Sequence, residues 1–334
     1  ESLILTGLGD LYSEIEEFET AAQVYEQAEA IANRLPGFFI SNYLVLARAN
    51  LALLHDDSET ASRILRSFRK QLKTNLSAYE RGLWALLEGR NHLLKHEAKK
   101  AISLLQEGKD CFIQDGREPE SQWCMVWLIA AYDQAGQSEN VRTEFRELMA
   151  VRNKPTHTLL ITLHQACYWL KPLQSDALVG RSLTGLLDKS KNLSQRLLSV
   201  RRILRRHTQF IQMPAAGLMI RAFGRAEVSV NGRTLAISDW RTKSVRDLFF
   251  YFLFRQDAVT KEQIGEALWP ETTDPQMLKT RFKDEIHRLR RAAGRNVIVF
   301  DEEYYRFNHA LDYEYDVEVF ESYLRRSRKA KDNA

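Results

Sequence analysis

Over the first 170 residues or so, small and apolar positions return in steps of 40. One column reads Leu5, Val45, Ala85 and Met125, and the next reads Gly9, Ala49, Gly89 and Ile129. Two more read Ala21, Ala61, Ala101, Val141 and Tyr25, Leu65, Leu105, Phe145. Small residues recur where two helices must approach closely, and large apolar ones where a core must be filled. The pattern predicts helical hairpins that bury their faces only against their neighbours. No fifth hairpin in register is expected, because the same step lands on Pro172 and Arg181.

Beyond residue 172 the spacing of Leu193, Leu197, Val200 and Leu204 predicts a further helix, and Pro214-Ala215-Ala216-Gly217 marks a boundary. LMIRAFG and AEVSV alternate as short strands, and Asn231-Gly232 is a hairpin-turn signal before RTLAI. Three helix patterns follow: WRTKSVRDLFFYFLF, TKEQIGEALWP and DPQMLKTRFKDEIHRLRRAAG. Thr260 with Gln263 forms a capping box for the second, and Asp274-Pro275 supplies the N-cap and first turn of the third. NVIVFDEEYYRF then predicts two strands. At about 100° per residue, Leu278, Phe282, Ile286, Leu289 and Ala293 share one side of the third helix. Gln276, Thr280, Lys283, Asp284, His287 and Arg291 take the other, with Lys279, Arg281, Arg288 and Arg290 on the flanks.

Composition narrows the class. A length of 334 residues implies at least two domains. Hydrophobic residues at 44% and a mean hydropathy of −0.39 suit a soluble protein, expected in the cytoplasm. The longest apolar run, 248–254, is far too short to span a membrane. Three widely spaced cysteines have neither disulfide-framework nor metal spacing. Net charge is only +4, so the location of charge carries the argument. Lys189, Lys191, Arg196, Arg201, Arg202, Arg205, Arg206, Arg221 and Arg225 form a run without Asp or Glu. It reads equally as a solvated helix face or as extra phosphate attraction. His92 and His96 have helical metal spacing, but His92 shares a packing column with Tyr12, Ala52 and Tyr132, so packing is the better reading. Trp123, Trp127 and Tyr132 read first as core and second as the lining of a ligand groove.

Leu8, Gly9, Tyr12, Ala21, Tyr25 and Ala28 have the spacing of the tetratricopeptide signature. With its longer period, the array resembles the superhelical sensor domain of the maltose-regulon-activator class of ATP-dependent regulators. Strands, three helices and a strand pair, in that order, are the layout of a response-regulator-type winged helix. Over 218–323, WRTKSVRDL, EALWP and HRLRRA resemble the DNA-binding domain of bacterial activators that carry a transcriptional activation domain, such as the antibiotic-pathway (SARP-type) regulators.

The expected fold is mostly α: a TPR-like α-solenoid over 1–172, a basic helical connector over 173–216, and a winged helix with small antiparallel sheets over 217–310. The resemblance implies that 311–334 is the first helix of a following activation domain. It also implies a dimer or pair on direct repeats, RNA polymerase contact through the loop 269–274, and a nucleotide-hydrolysing domain ahead of residue 1.

The expected function is that of a transcriptional regulator that binds double-stranded DNA in sequence-specific fashion. The helix 274–293 reads the duplex, and an effector or protein partner occupies the concave face of the repeats. Thr280, Lys283, Asp284 and His287 are expected at base edges, and Arg241, Lys243, Lys279, Arg290 and Arg291 at phosphates. From the hairpin only Tyr305 and Arg306 are carried over, since Asp301, Glu302 and Glu303 at its tip repel phosphate. The alternative is a protein–protein interaction module with the winged helix as a docking surface. No phosphate loop, nucleophile elbow or metal cluster points to an enzyme, and no cofactor is called for.

Overall fold

The computed structural model describes residues 1–34, 40–71, 76–150, 155–207, 215–255 and 257–332. It divides into two compact units, Glu1–Ser194 and Gln195–Ala334.

The first unit begins with eight helices: α1 Ser2–Glu14, α2 Phe18–Ala32, α3 Ile40–Leu54, α4 Ser58–Gln71, α5 Ala78–Leu94, α6 Ala98–Gln114, α7 Glu118–Gln134 and α8 Ser138–Ala150. They pair as four TPR-like hairpins. Ala21, Ala61, Ala101 and Val141 are all buried, so the 40-residue column is a packing column. The turns repeat too. Glu16, Asp56, His96 and Gly136 each have a positive φ between 56° and 70°. The N–H of the next residue bonds the carbonyl five back: Glu17 to Tyr12, Asp57 to Ala52, Glu97 to His92 and Gln137 to Tyr132, at 2.8–2.9 Å. Each first helix thus ends in a left-handed cap that satisfies its last carbonyls. His96 is one of these cap residues, which removes it from the helix face that carries His92.

Small residues in the second column are required by close approach. A Cβ on Gly9 would stand 2.4 Å from Cε1 of Tyr25, and one on Gly89 would stand 2.6 Å from Cγ of Leu105. Replacing Gly89 by Val is therefore expected to overpack the third hairpin and cost about 1–3 kcal/mol. Urea unfolding checks this, and an unchanged midpoint would show that the α5–α6 contact yields.

The core continues past α8. The helices α9 His157–Gln165 and α10 Cys167–Leu170, a 3-10 turn Lys171–Ser175 and α11 Gly180–His207 add Leu159, Leu163, Leu170, Leu173, Val179 and Leu183 to it. Further helices thus extend the core, but not as a fifth hairpin in register, as the sequence leads one to expect. The turn around Pro172 moves the buried positions of α11 to Leu183 and Leu187, two residues past Arg181 and Gly185.

The end of α11 belongs to the second unit. There Arg205 grips Asp312 with two bonds of 2.8 and 3.1 Å, and Arg206 reaches Glu318 at 3.2 Å. Arg202 donates to the His309 carbonyl and lies over the Tyr313 ring. These three cations of the basic run hold structure together. Lys189, Lys191, Arg196, Arg221 and Arg225 are exposed. Of the boundary at Pro214, the proline itself lies outside the described residues.

The second unit continues with β1 Leu218–Arg221, β2 Glu227–Val230, β3 Arg233–Thr234, α12 Ile237–Trp240, α13 Lys243–Phe254, α14 Lys261–Leu268, α15 Pro275–Ala293, β4 Ile298–Asp301, β5 Tyr304–Phe307, β6 Tyr313–Tyr315 and α16 Asp316–Asp332. Asn231 and Gly232, at φ 49° and 79°, make the expected β2–β3 turn. RTLAI is a strand only at Arg233 and Thr234, with the Leu235 N–H still bonding the Val228 carbonyl at 2.8 Å, before α12 starts. The sheet order is β3-β2-β1-β6, and β1–β6 is parallel, so the antiparallel expectation fails at that edge. A strand that returns after four helices and the β4–β5 hairpin has room for the crossover that parallel pairing needs.

Tyr313 and Tyr315 are buried in the same core as Leu218, Ile220, Phe249, Phe252, Ile286 and Leu289. The start of 311–334 is thus an integral part of this unit and not the first element of a following one. Asp316 fastens α16: its carboxylate accepts the Ala222 and Phe223 N–H groups at 2.9–3.0 Å. Asp316→Ala leaves those donors without partners and is expected to cost about 1–3 kcal/mol. Thermal unfolding checks the loss, and Asp316→Asn, which keeps one acceptor oxygen, is expected to recover part of it.

Candidate functional site

The helix α15 stands on Asp274, whose side chain accepts the Gln276 N–H at 2.9 Å, and on Pro275. Its inner stripe, Phe282, Ile286, Leu289 and Ala293, is buried. Thr280, Lys283, Asp284, His287 and Arg291 are all exposed on the opposite side. The Thr280 hydroxyl bonds back to the Gln276 carbonyl at 3.0 Å, leaving its lone pairs and methyl outward.

At the C-terminal end of that face the surface forms a groove shared with β2, β3 and α12. Arg241, His287, Arg288 and Arg291 line it together with Arg233 and Asp239. Arg241 reaches it from a turn at φ 66°, just after the buried Trp240. Arg233 is paired with Asp239, which holds the Asp239 carboxyl below the usual carboxylate range. Arg233 and Arg288 escaped the sequence reading. The first is far from α15 in the chain, and the second was placed on a flank.

The remaining residues separate. Lys243 is exposed at the first turn of α13. Lys279 lies on the α14 side of α15, beside Lys261, Gly265 and Gln276. Arg290 donates to the Ile298 carbonyl at 3.1 Å, so it ties the helix to β4. Tyr305 is packed between Phe282 and Phe300, at ring distances of 4.7 and 4.6 Å, and its backbone pairs with Val259. Arg290 and Tyr305 therefore brace the hairpin against α15. Arg306 is exposed on β5. Arg281 is committed as well: it bonds Glu271 and Thr272 and covers the Trp269 ring. The two acids of α15 divide. Asp284 is exposed, whereas Glu285 is buried facing Ser244, and burial pushes its carboxyl up.

The first unit holds a second site, a concave cavity of about 220 Å³ bounded by residues from all four hairpins and by α9. Trp123 and Trp127 line it, whereas Tyr132 accepts a bond from Gln106 away from the cavity. Asp10 sits in its wall and accepts both the Tyr25 and Tyr43 hydroxyls, at 2.6 and 2.9 Å. Burial pushes the Asp10 carboxyl up and raises both phenols. Arg90 is 7% exposed, donates to Asn50 at 2.6 Å and stacks 4.7 Å over Trp127; burial pulls it down to about 10. The paired histidines of the sequence lie elsewhere. His92 bonds Glu97, and His96 meets Gln134 and Trp169. Among the described residues no cluster of three potential metal ligands occurs, and no helix is long and apolar enough to cross a membrane.

No family model matches the chain, and no curated protein matches it. Among solved structures it is similar to the crystallised TPR-like repeats of a protein from Podosopora anserina described as a kinesin light chain. The identity is 16% and the TM-score 0.39, over 59% of this chain and 95% of that one. The repeat architecture therefore rests on the columns and caps described above.

Proposed function

We propose that the chain is part of a transcriptional regulator: a winged-helix reader of duplex DNA joined to helical repeats that sense an effector or protein partner. The carrying observation is the meeting of Arg241, His287, Arg288 and Arg291 in one groove, continuous with the exposed Thr280, Lys283 and Asp284. A 19-residue helix with one apolar and one polar-cationic face fits the major groove, which is about 12 Å wide. Lys283 and Asp284 are the base readers, an acid suiting the amino group of cytosine. Arg241, Arg288 and Arg291 neutralise phosphates, with Lys243 and Lys279 further out. Arg290 and Tyr305 hold the hairpin in place, and Arg306 is the hairpin residue left to meet the backbone. Polymerase contact through 269–274 and pairing on direct repeats belong to the same proposal.

Titration of a labelled duplex of random sequence with the full chain tests it. Affinity is expected to fall by about 10²-fold or more between about 50 and 200 mM salt. Absence of binding at the lower salt overturns the reading. One observation favours a second reading, that of a protein-docking surface. The hairpin tip joins Asp301, Glu302 and Glu303 to exposed Phe300 and Tyr304, an acidic and aromatic surface better suited to a protein than to phosphate.

A further inference from the structure

The cavity of the repeat unit has two chemically opposite poles. At one, Arg90 is buried with no carboxylate within ion-pair distance among the described residues. Its Nε finds no hydrogen-bond partner, nor does the indole N–H of Trp123 in the same wall. Taking a guanidinium out of water without a counter-ion is expensive, and fixing it against Asn50 and Trp127 adds the cost of ordering it. At the other pole Asp10 faces the cavity with Glu14 at the mouth, and no Lys or Arg forms an ion pair with either among the described residues. The Glu14 carboxyl is raised by burial and by Asp10 beside it, with His157 opposing the shift more weakly. Between the poles the wall is apolar and aromatic, with Leu46, Leu83 and Leu86 alongside the two tryptophans.

We propose that this cavity binds an amino-acid-type zwitterion, with its carboxylate on Arg90, its ammonium group on Asp10 and Glu14, and an apolar side chain against the wall. The two-point charge pattern sets the class. A neutral ligand leaves both poles unanswered, and a simple anion or cation answers only one. A volume of about 220 Å³ is smaller than the roughly 300–1,000 Å³ of pockets for drug-sized ligands, which limits the occupant to a single amino acid or a short peptide. The proposal names the effector class for the sensing role put forward above and rests on that reading only for its use. Binding itself is read without DNA, so either can fail alone.

Free L-amino acids and zwitterionic dipeptides are titrated into the full chain up to about 10 mM, followed by tryptophan emission and calorimetry. At least one is expected to saturate, shifting the emission of Trp123 and Trp127. N-acetylation and carboxyl amidation of that ligand are each expected to weaken it about tenfold or more, because each leaves a pole unpaired. Arg90→Met is expected to abolish binding. Should that variant melt early, Glu14→Gln at the mouth is the second probe, expected to weaken the zwitterion while leaving its N-acetyl form unchanged. The proposal is overturned if no zwitterion saturates, if the blocked forms bind as well, or if Glu14→Gln changes nothing. Saturation by dipeptides alone assigns the site to a peptide, and by free amino acids to a metabolite; either supports it.

Discussion

Replacing Arg241, Arg288 and Arg291 together by Ala is expected to lower duplex affinity by about 10²–10³-fold at low salt, roughly tenfold for each charge-assisted contact. It is also expected to reduce the slope of log affinity against log salt by about 2.7, since each phosphate neutralised contributes about 0.9. The three side chains converge on one groove and are not needed to pack the core. Arg288 also stands 4.0 Å from the buried Glu285 carboxylate, so the variant should unfold somewhat earlier than the parent while remaining folded during titration. Fluorescence anisotropy at several salt concentrations separates affinity from salt slope. A loss of affinity with an unchanged slope would place the phosphates elsewhere. Arg290→Ala is the contrasting case. It frees the Ile298 carbonyl and loosens the hairpin, so its effect should appear in stability as well as binding.

The second large effect is structural. Trp269, at the end of α14, is 2% exposed and ties that end to α13 and α15: its indole N–H donates to Ser244 at the start of α13 at 2.8 Å, and on α15 Phe282 meets its edge and Arg281 covers its face. Trp269→Ala is expected to destabilise the second unit by about 3–5 kcal/mol. It should also abolish duplex binding at temperatures where the repeats stay folded. Trp269→Phe keeps most of the ring and loses the hydrogen bond, at a cost of about 1–2 kcal/mol. Urea unfolding followed by near-ultraviolet circular dichroism gives both values. A shift below about 1 kcal/mol for the alanine variant would contradict the packing described for this loop.

Periodic features were legible in the chain because periodicity is local. The columns headed by Gly9, Ala21 and Tyr25 are packing positions in space, since each hairpin meets only its neighbours and repeats their geometry. The inner and outer faces of α15 followed from 3.6-residue spacing, and the Thr260 and Asp274 caps from side-chain chemistry three residues deep. What escaped depends on residues far apart. The helices after α8 carry no in-register signal, because the buried positions shift by two residues after Pro172. The strand Tyr313–Tyr315 reads as the start of a helix until β1 supplies its partner. Glu285 and Asp284 are neighbours in sequence and opposites in burial, because 100° of helix rotation carries one of them under α13. Arg90, Asn50 and Asp10 come from three different hairpins, and no spacing rule joins them. Trp127 and Tyr132 belong to the buried core with Trp123 packed against it, as their spacing leads one to expect, and the two tryptophans line the cavity as well.

Selection of binding sites from a pool of random duplexes, with the full chain and with its Lys283→Ala variant, tests the central claim most directly. The full chain is expected to enrich one motif, and the variant the same motif with a single base position relaxed, since each specific base contact discriminates by about 1–3 kcal/mol. A pool that stays random after repeated rounds at low salt would contradict the account and leave the exposed face of α15 as a surface for protein partners.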